Sequence, residues 1–197
     1  MSKGDDTRER ILERAFRMAS RDGLEGLSIG GLAESLAMSK SGLFAHFGSK
    51  EELQVEVLQA AARRFEDSVM RPAFRAPRGT PRIRHFLENW LHWVNSPDGA
   101  GCLFVTAAVE LDDRDGRPRE VVVEEQRKLQ DAFARSARVA IDAGHFRKDL
   151  DCRQFAFELY ALLLGYHNAK RLLREPGAEK ALRSAFERLL TDAAAPS

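Results

Sequence analysis

Apolar residues recur along the chain three and four positions apart, the spacing that lines one face of an α-helix, and no segment alternates as a strand would. Ile11, Leu12, Ala15, Phe16 and Ala19 form the first stripe, surrounded by Arg8, Glu9, Glu13, Arg14 and Arg17. Asp6 with Glu9 offers this helix a capping box, and Gly23 a stop. A second short helix places Ile29, Leu32, Ala33 and Leu36 inward behind Ser28 as its cap, and a tight link through Ala37 and Met38 leads to Ser39, which caps a third. From Lys50 to about Met70 a long helix carries Leu53, Val57, Leu58, Ala61, Phe65 and Val69, until Pro72, Pro77 and Pro81 break it. Five more helices are expected at about 82–95, 101–111, 118–143, 151–174 and 178–192. The pattern predicts an all-α chain of about nine helices, with a three-helix head over 1–50 and a helical body over 51–197.

The third helix is unusual for its polarity. The stretch "SKSGLFAHFGSKEEL", beginning at Ser39, crowds small and polar residues against two phenylalanines. That combination suits the reading element of a helix-turn-helix, whose first residues must enter the major groove and cannot be bulky. Ser39, Lys40, Ser41 and Gly42 form its polar edge: the hydroxyls can reach phosphates or bases, and the lysine a phosphate or a guanine. Leu43 and Phe47, four apart, face inward and anchor the helix. Ser49 with Glu52 reads as a capping box for the next helix, whose free amides, aided by Lys50, suit a second phosphate.

The segment "LSIGGLAESLAMSKSGLFAHFGSKEEL" resembles the helix-turn-helix of the TetR family of bacterial transcriptional repressors, over about Thr7 to Leu58. The run Phe44-Ala45-His46-Phe47, followed closely by Ser-Lys-Glu-Glu-Leu, carries the resemblance. It implies that Ser28 caps the second helix and touches the DNA backbone, that Ser39, Lys40, Ser41 and Gly42 read bases, and that His46 and Lys50 lie near phosphates. Phe44 stands where the family usually has a tyrosine that bonds a phosphate; lacking the hydroxyl, it is expected to pack instead. Gly42 replaces the family's frequent threonine or serine. Gly30-Gly31 replaces a stronger helix former and the family's usual capping glutamate, at about 1 kcal/mol per glycine. The resemblance implies double-stranded DNA with a palindromic operator as partner, a homodimer, and a small hydrophobic effector that releases a repressor. A ligand-independent DNA binder or an activator of the same fold is the alternative.

Composition narrows the rest. With 44% hydrophobic and 31% charged residues the chain is an ordinary globular one, and its net charge of +1 means that DNA must be met by a local patch. No apolar run approaches a membrane span and the charged start lacks a secretory pattern, so a cytoplasmic protein with no membrane partner is expected. Cys102 and Cys152 match no zinc or disulfide pattern. No nucleophile-elbow, metal-ligand or phosphate-loop arrangement is present, so no catalytic residue, metal or cofactor is expected.

A single reading helix covers few base pairs, which calls for a two-fold dimer. In "FELYALLLGYHNAKRLL" the small residues Ala161, Gly165 and Ala169 repeat every four positions, with Leu172 beside them. Ala181, Ala185, Phe186 and Leu189 form a second apolar face. These eight residues are the expected dimer seam; internal packing is the alternative. Phe86, Trp90, Trp93, Cys102, Phe104, Thr106, Glu110, Tyr160 and His167 combine apolar bulk with a few polar tips, as ligand pockets do. An aromatic stripe can equally be core, and both readings stand at this point.

Overall fold

Serine hydroxyls set the starts of the short helices. Ser28 and Ser39 have extended backbones, and their Oγ atoms accept hydrogen bonds from the Gly31 and Gly42 amides at 3.1 and 3.0 Å. Ser49 accepts from Glu52 N at 3.0 Å in the same way. In each case the cap satisfies an amide that the first helical turn leaves unpaired. The computed structural model describes residues 3–96 and 102–196, with side chains from Thr7 onward.

The helices are α1 (Lys3–Asp22), α2 (Ile29–Ser35), α3 (Lys40–Phe47), α4 (Lys50–Phe65), α5 (Arg71–Arg75), α6 (Thr80–Asn95), α7 (Leu103–Leu111), α8 (Arg117–Asp142), α9 (Cys152–Arg171) and α10 (Ala178–Ala193). A π-helical segment, Glu66–Met70, joins α4 to α5, so the run from Lys50 to Arg75 is continuous, and among the described residues the helices number nine when it is taken as one. α1 begins upstream of the expected cap Asp6, whose side chain lies outside the described residues. Pro72 does not break the long helix at Met70. The proline sits in the first turn of α5, and the wider π turn ahead of it accommodates a residue with no N–H and a ring that would strike the carbonyl four residues back. Among the described residues no helix is long and apolar enough to cross a membrane.

Packing divides the chain into two units, Met1–Glu66 with Trp93–Glu125, and Asp67–His92 with Gln126–Ser197. The first thus groups the expected head with α4, α7 and the start of α8. Its core gathers Ile11, Phe16, Leu24, Leu32, Leu43, Phe47, Leu58, Ala107 and Leu111, and Trp93 lies 6.0 Å, centroid to centroid, from both Phe16 and Phe65. In the second unit α9 and α10 pack together, Phe146 lies 5.2 Å from Phe155, and Phe86 lies 4.7 Å from Phe133. Arg84 and Arg183 hold Glu187 and Glu88 across this unit's surface, exposed pairs of modest energetic weight.

α3 shows its two faces most sharply: Leu43 is 0% exposed, while its neighbour Phe44 is 53% exposed. Leu43→Ala is therefore expected to cost about 3 kcal/mol, whereas Phe44→Ala should stay within about 0.5 kcal/mol, as read from urea midpoints at unchanged m-value.

Candidate nucleic-acid interface

The polar edge of α3 is held out by the anchor behind it. Leu43 and Phe47 are buried in the first unit's core, and Ser39, Lys40 and Ser41 are exposed at the helix start. Ser39 Oγ serves as the cap and lies 3.3 Å from Ser41 Oγ. Arg8 fixes the other end of α3: its Nη1 donates to the His46 carbonyl at 2.6 Å, its guanidinium lies 4.9 Å over the Phe47 ring, and it pairs with Glu56 of α4. Nothing in the helical pattern distinguishes Arg8 from the other charged residues of α1. His46 is half-buried against Phe47.

The three glycines that depart from the family pattern have neighbours that account for them. A Cβ on Gly30 would lie 3.2 Å from Lys40 Cε, so the missing side chain leaves room for the lysine stem. On Gly31 and Gly42 it would come within 3.1 and 3.0 Å of the capping hydroxyls of Ser28 and Ser39. The expectation that Phe44 packs is overturned, because its ring projects beside the polar edge rather than into the core. Lys50 is turned back: Nζ donates to the Glu25 carbonyl at 2.9 Å and lies 3.6 Å from the Glu25 carboxylate. Glu52 does not close a capping box through its side chain, which pairs with Arg117.

Behind this interface the α1–α2 turn is bound on every side. Glu110 of α7 accepts from the Leu24 amide at 2.7 Å and from the Glu25 amide at 3.3 Å. Gln54, buried in α4, donates to Leu24 O at 3.1 Å. Burial pushes the Glu25 carboxyl up, but hydrogen bonds from Arg114 and Gln54 and the charge of Lys50 leave it below the ordinary range. Gly23 has φ +85°, and a Cβ there would lie 1.9 Å from Glu110 Oε1. The position accepts only glycine while the carboxylate is in place.

Glu110 was expected in a ligand pocket; its carboxylate is committed to this turn instead. Of the other expected pocket residues, Trp93, Cys102, Phe104 and Thr106 belong to the first unit, and Phe86, Trp90, Tyr160 and His167 to the second. Cys102 is buried, which pushes its thiol up and keeps it protonated. Trp90 meets Tyr166 edge-on at 5.6 Å. Phe86 lines a cavity of about 10 Å³ with Met70, Phe74, Ile83, Phe133 and Leu159, room for about one water. His167 is half-buried, its Nε2 lacks a hydrogen-bond partner among the described residues, and burial, with the nearby Arg171 charge, holds it below its usual value.

The expected seam residues divide similarly. Ala161, Gly165, Leu172 and Ala181 are exposed, and Ala169 and Ala185 half-buried. Phe186 and Leu189, 2% and 9% exposed, belong to their own chain's core because they fall on the inner face of α10. Phe157 and Leu164, at 63% and 37% exposed, were not singled out by the small-residue spacing.

Residues 11–57 match the family described as bacterial regulatory proteins, tetR family, and residues 79–186 match the tetracyclin repressor-like C-terminal domain. A solved TetR transcriptional regulator from Chloroflexus aurantiacus is 25% identical with a TM-score of 0.84, over 97% of this chain and 96% of that one. A regulator from Saccharomonospora viridis in complex with choline is 20% identical at TM-score 0.81, over 98% and 100%. AibR, in complex with isovaleryl coenzyme A and operator DNA, is 19% identical at TM-score 0.72, over 96% and 99%. The comparison with curated proteins finds no match.

Two outcomes are expected of this geometry. A Cβ at residue 23 would evict the carboxylate that Glu110→Ala removes, so the two changes share one loss. Gly23→Ala should cost about 2 to 3 kcal/mol, Glu110→Ala about 2, and the double variant about 1 less than their sum, measured by urea unfolding. For His167 the folded value lies below the unfolded 6.5, so the unfolded chain binds the extra proton, and this contribution to stability is full above pH 6.5 and lost as pH falls below it. His167→Gln should therefore lose less Tm than wild type between pH 7.5 and 5.5.

Proposed function

The chain belongs to the TetR family of bacterial regulatory proteins, and from that premise we propose that it is a repressor that binds a palindromic operator as a homodimer and lets go when a small hydrophobic effector binds. Members of the family are transcription regulators, not enzymes. The observation that carries the reading is α3 itself, where Ser39, Lys40 and Ser41 stand exposed on a helix whose Leu43 and Phe47 are buried. The small edge can reach base edges, and Lys40 brings positive charge to a nearly neutral chain. Ser28, Gly42, His46 and the projecting Phe44 ring flank this contact, and Lys50 reaches a phosphate by leaving Glu25.

The outward face of α9 supports the dimer. Phe157, Ala161, Leu164, Gly165 and Leu172 follow one another at helical spacing and are exposed, a stripe that a second copy would cover. Half-sites one turn of DNA apart call for two reading helices separated by about 34 Å, which a two-fold pair would supply. Effector control is supported by the relatives solved with choline and with isovaleryl coenzyme A; in this chain the release follows from an effector's different affinity for the DNA-competent and incompetent arrangements.

The test uses duplex DNA from the region flanking the protein's own gene, read by fluorescence anisotropy at several salt concentrations. Lys40→Ala should weaken binding and lower the slope of log affinity against log salt by about 1, and Ser41→Ala should weaken it with the slope unchanged. If both variants match wild type, α3 is not the reading surface. Leu172→Glu should shift the sedimenting species from dimer to monomer at micromolar concentration; a wild-type monomer there removes the seam.

A further inference from the structure

The second unit carries an open trench between the outer face of α8 and the first turn of α9. Two adjoining hollows of about 380 and 290 Å³ share Asp131, Ala134 and Arg153. Arg127, Asp131, Arg135 and Arg138 recur along α8 at helical spacing and line one wall, while Ala134 and Ala156 keep the trench open. Arg127 and Arg138 are eleven residues apart, so the basic wall is about 16 Å long.

The charges in the trench differ from the two clamped arginines on the unit's surface. Arg84 and Arg183 are each clamped onto carboxylates. Among the described residues none of the guanidiniums of Arg127, Arg135, Arg138 and Arg153 is ion-paired or hydrogen-bonded. Two carboxylates, Asp131 and Asp151, share the trench with these four guanidiniums and leave it a net positive charge. Asp151 Oδ1 is taken up by the amides of Arg153 and Gln154 at 2.8 and 3.1 Å, as the cap of α9. Its charge also acts on Arg153, and Asp131, which caps nothing, is the second acidic competitor.

We propose that this trench binds an organic anion bearing phosphate groups, one seated among Arg135, Arg138 and Arg153 and a second anionic group reaching Arg127. A guanidinium presents paired donors that match the oxygens of a phosphate, and a phosphate can accept from more than one fork. The site is separate from the DNA-reading edge and does not depend on the repressor reading.

Inorganic pyrophosphate serves as the probe, titrated calorimetrically into the full chain at low ionic strength, with sodium chloride at matched ionic strength as control. Wild type should show saturable binding of one pyrophosphate per chain. Arg135→Gln with Arg138→Gln should weaken it at least about tenfold, and Asp131→Asn should tighten it about threefold, since removing the competing charge leaves the forks in place. Arg188→Gln, an exposed arginine on α10 bonded to Ser184 outside the trench, should leave the affinity unchanged. Circular dichroism confirms that the variants fold. The proposal is overturned by heats no larger than the chloride control, by equal affinity in the double arginine variant, or by an Asp131→Asn variant that binds no tighter.

Discussion

The burial of Leu43 and Phe47 is the contact on which the interface depends. An eight-residue helix with a glycine near its start and a glycine after its end does not persist in water on its own, because the nucleus costs more than so few hydrogen bonds return. Two side chains, 0% and 5% exposed, supply what propensity does not. Because the stability comes from behind, the front is free to be small. Behind the Ser39 cap, lysine, serine and glycine can occupy the exposed edge without the helix needing their side chains for its own formation. Arg8 completes the arrangement by holding the His46 carbonyl and covering the Phe47 ring, which fixes the helix at its far end.

A second constraint acts one layer deeper. The α1–α2 turn exposes amides and carbonyls that its own backbone leaves unpaired, and three side chains from two helices answer them: Glu110 from α7, and Gln54 and Lys50 from α4. A buried polar group left unpaired costs about 1 to 3 kcal/mol, so Gln54 and the part-buried Glu110 tie the turn to their helices with more force than the exposed bond of Lys50 does. The turn precedes α2 and α3 directly. Any displacement of α7 therefore acts on the head through hydrogen bonds as well as through the long helix α4, and Gly23 is the position that lets the carboxylate come close enough.

The helices are legible in the sequence because their inner faces are apolar at a period that chemistry fixes, and the caps at Ser28, Ser39 and Ser49 because a serine oxygen reaches an amide three residues on whatever the tertiary fold. Less legible is whatever depends on partners far along the chain. Glu110 looks like a polar tip among apolar residues; only the fold brings it to Leu24, 86 positions away. Lys50 has the right place for a phosphate, yet a carboxylate and a carbonyl lie within its reach in the folded chain. Phe186 and Leu189 are apolar at helical spacing, which says that they face something without saying whether it is the same chain or a second copy. Pro72 signals a disturbance, and the choice between a break and a π turn is made by packing.

The interior of the second unit bears on how an effector could act. Phe86 lies against Phe133, Trp90 against Tyr166 and Phe146 against Phe155, and the cavity beside Phe86 holds about one water. An effector entering among these rings has to separate pairs that contribute about 0.5 to 1.5 kcal/mol each beyond their buried area. That cost lowers apparent affinity by the fraction of chains already opened, and it also supplies the difference between states on which a switch relies. A ligand that fitted the closed interior without displacing anything would bind both arrangements equally and shift neither. Rings packed against one another are thus compatible with regulation, provided that a ligand's own apolar contacts in the opened arrangement exceed those of the rings it parts.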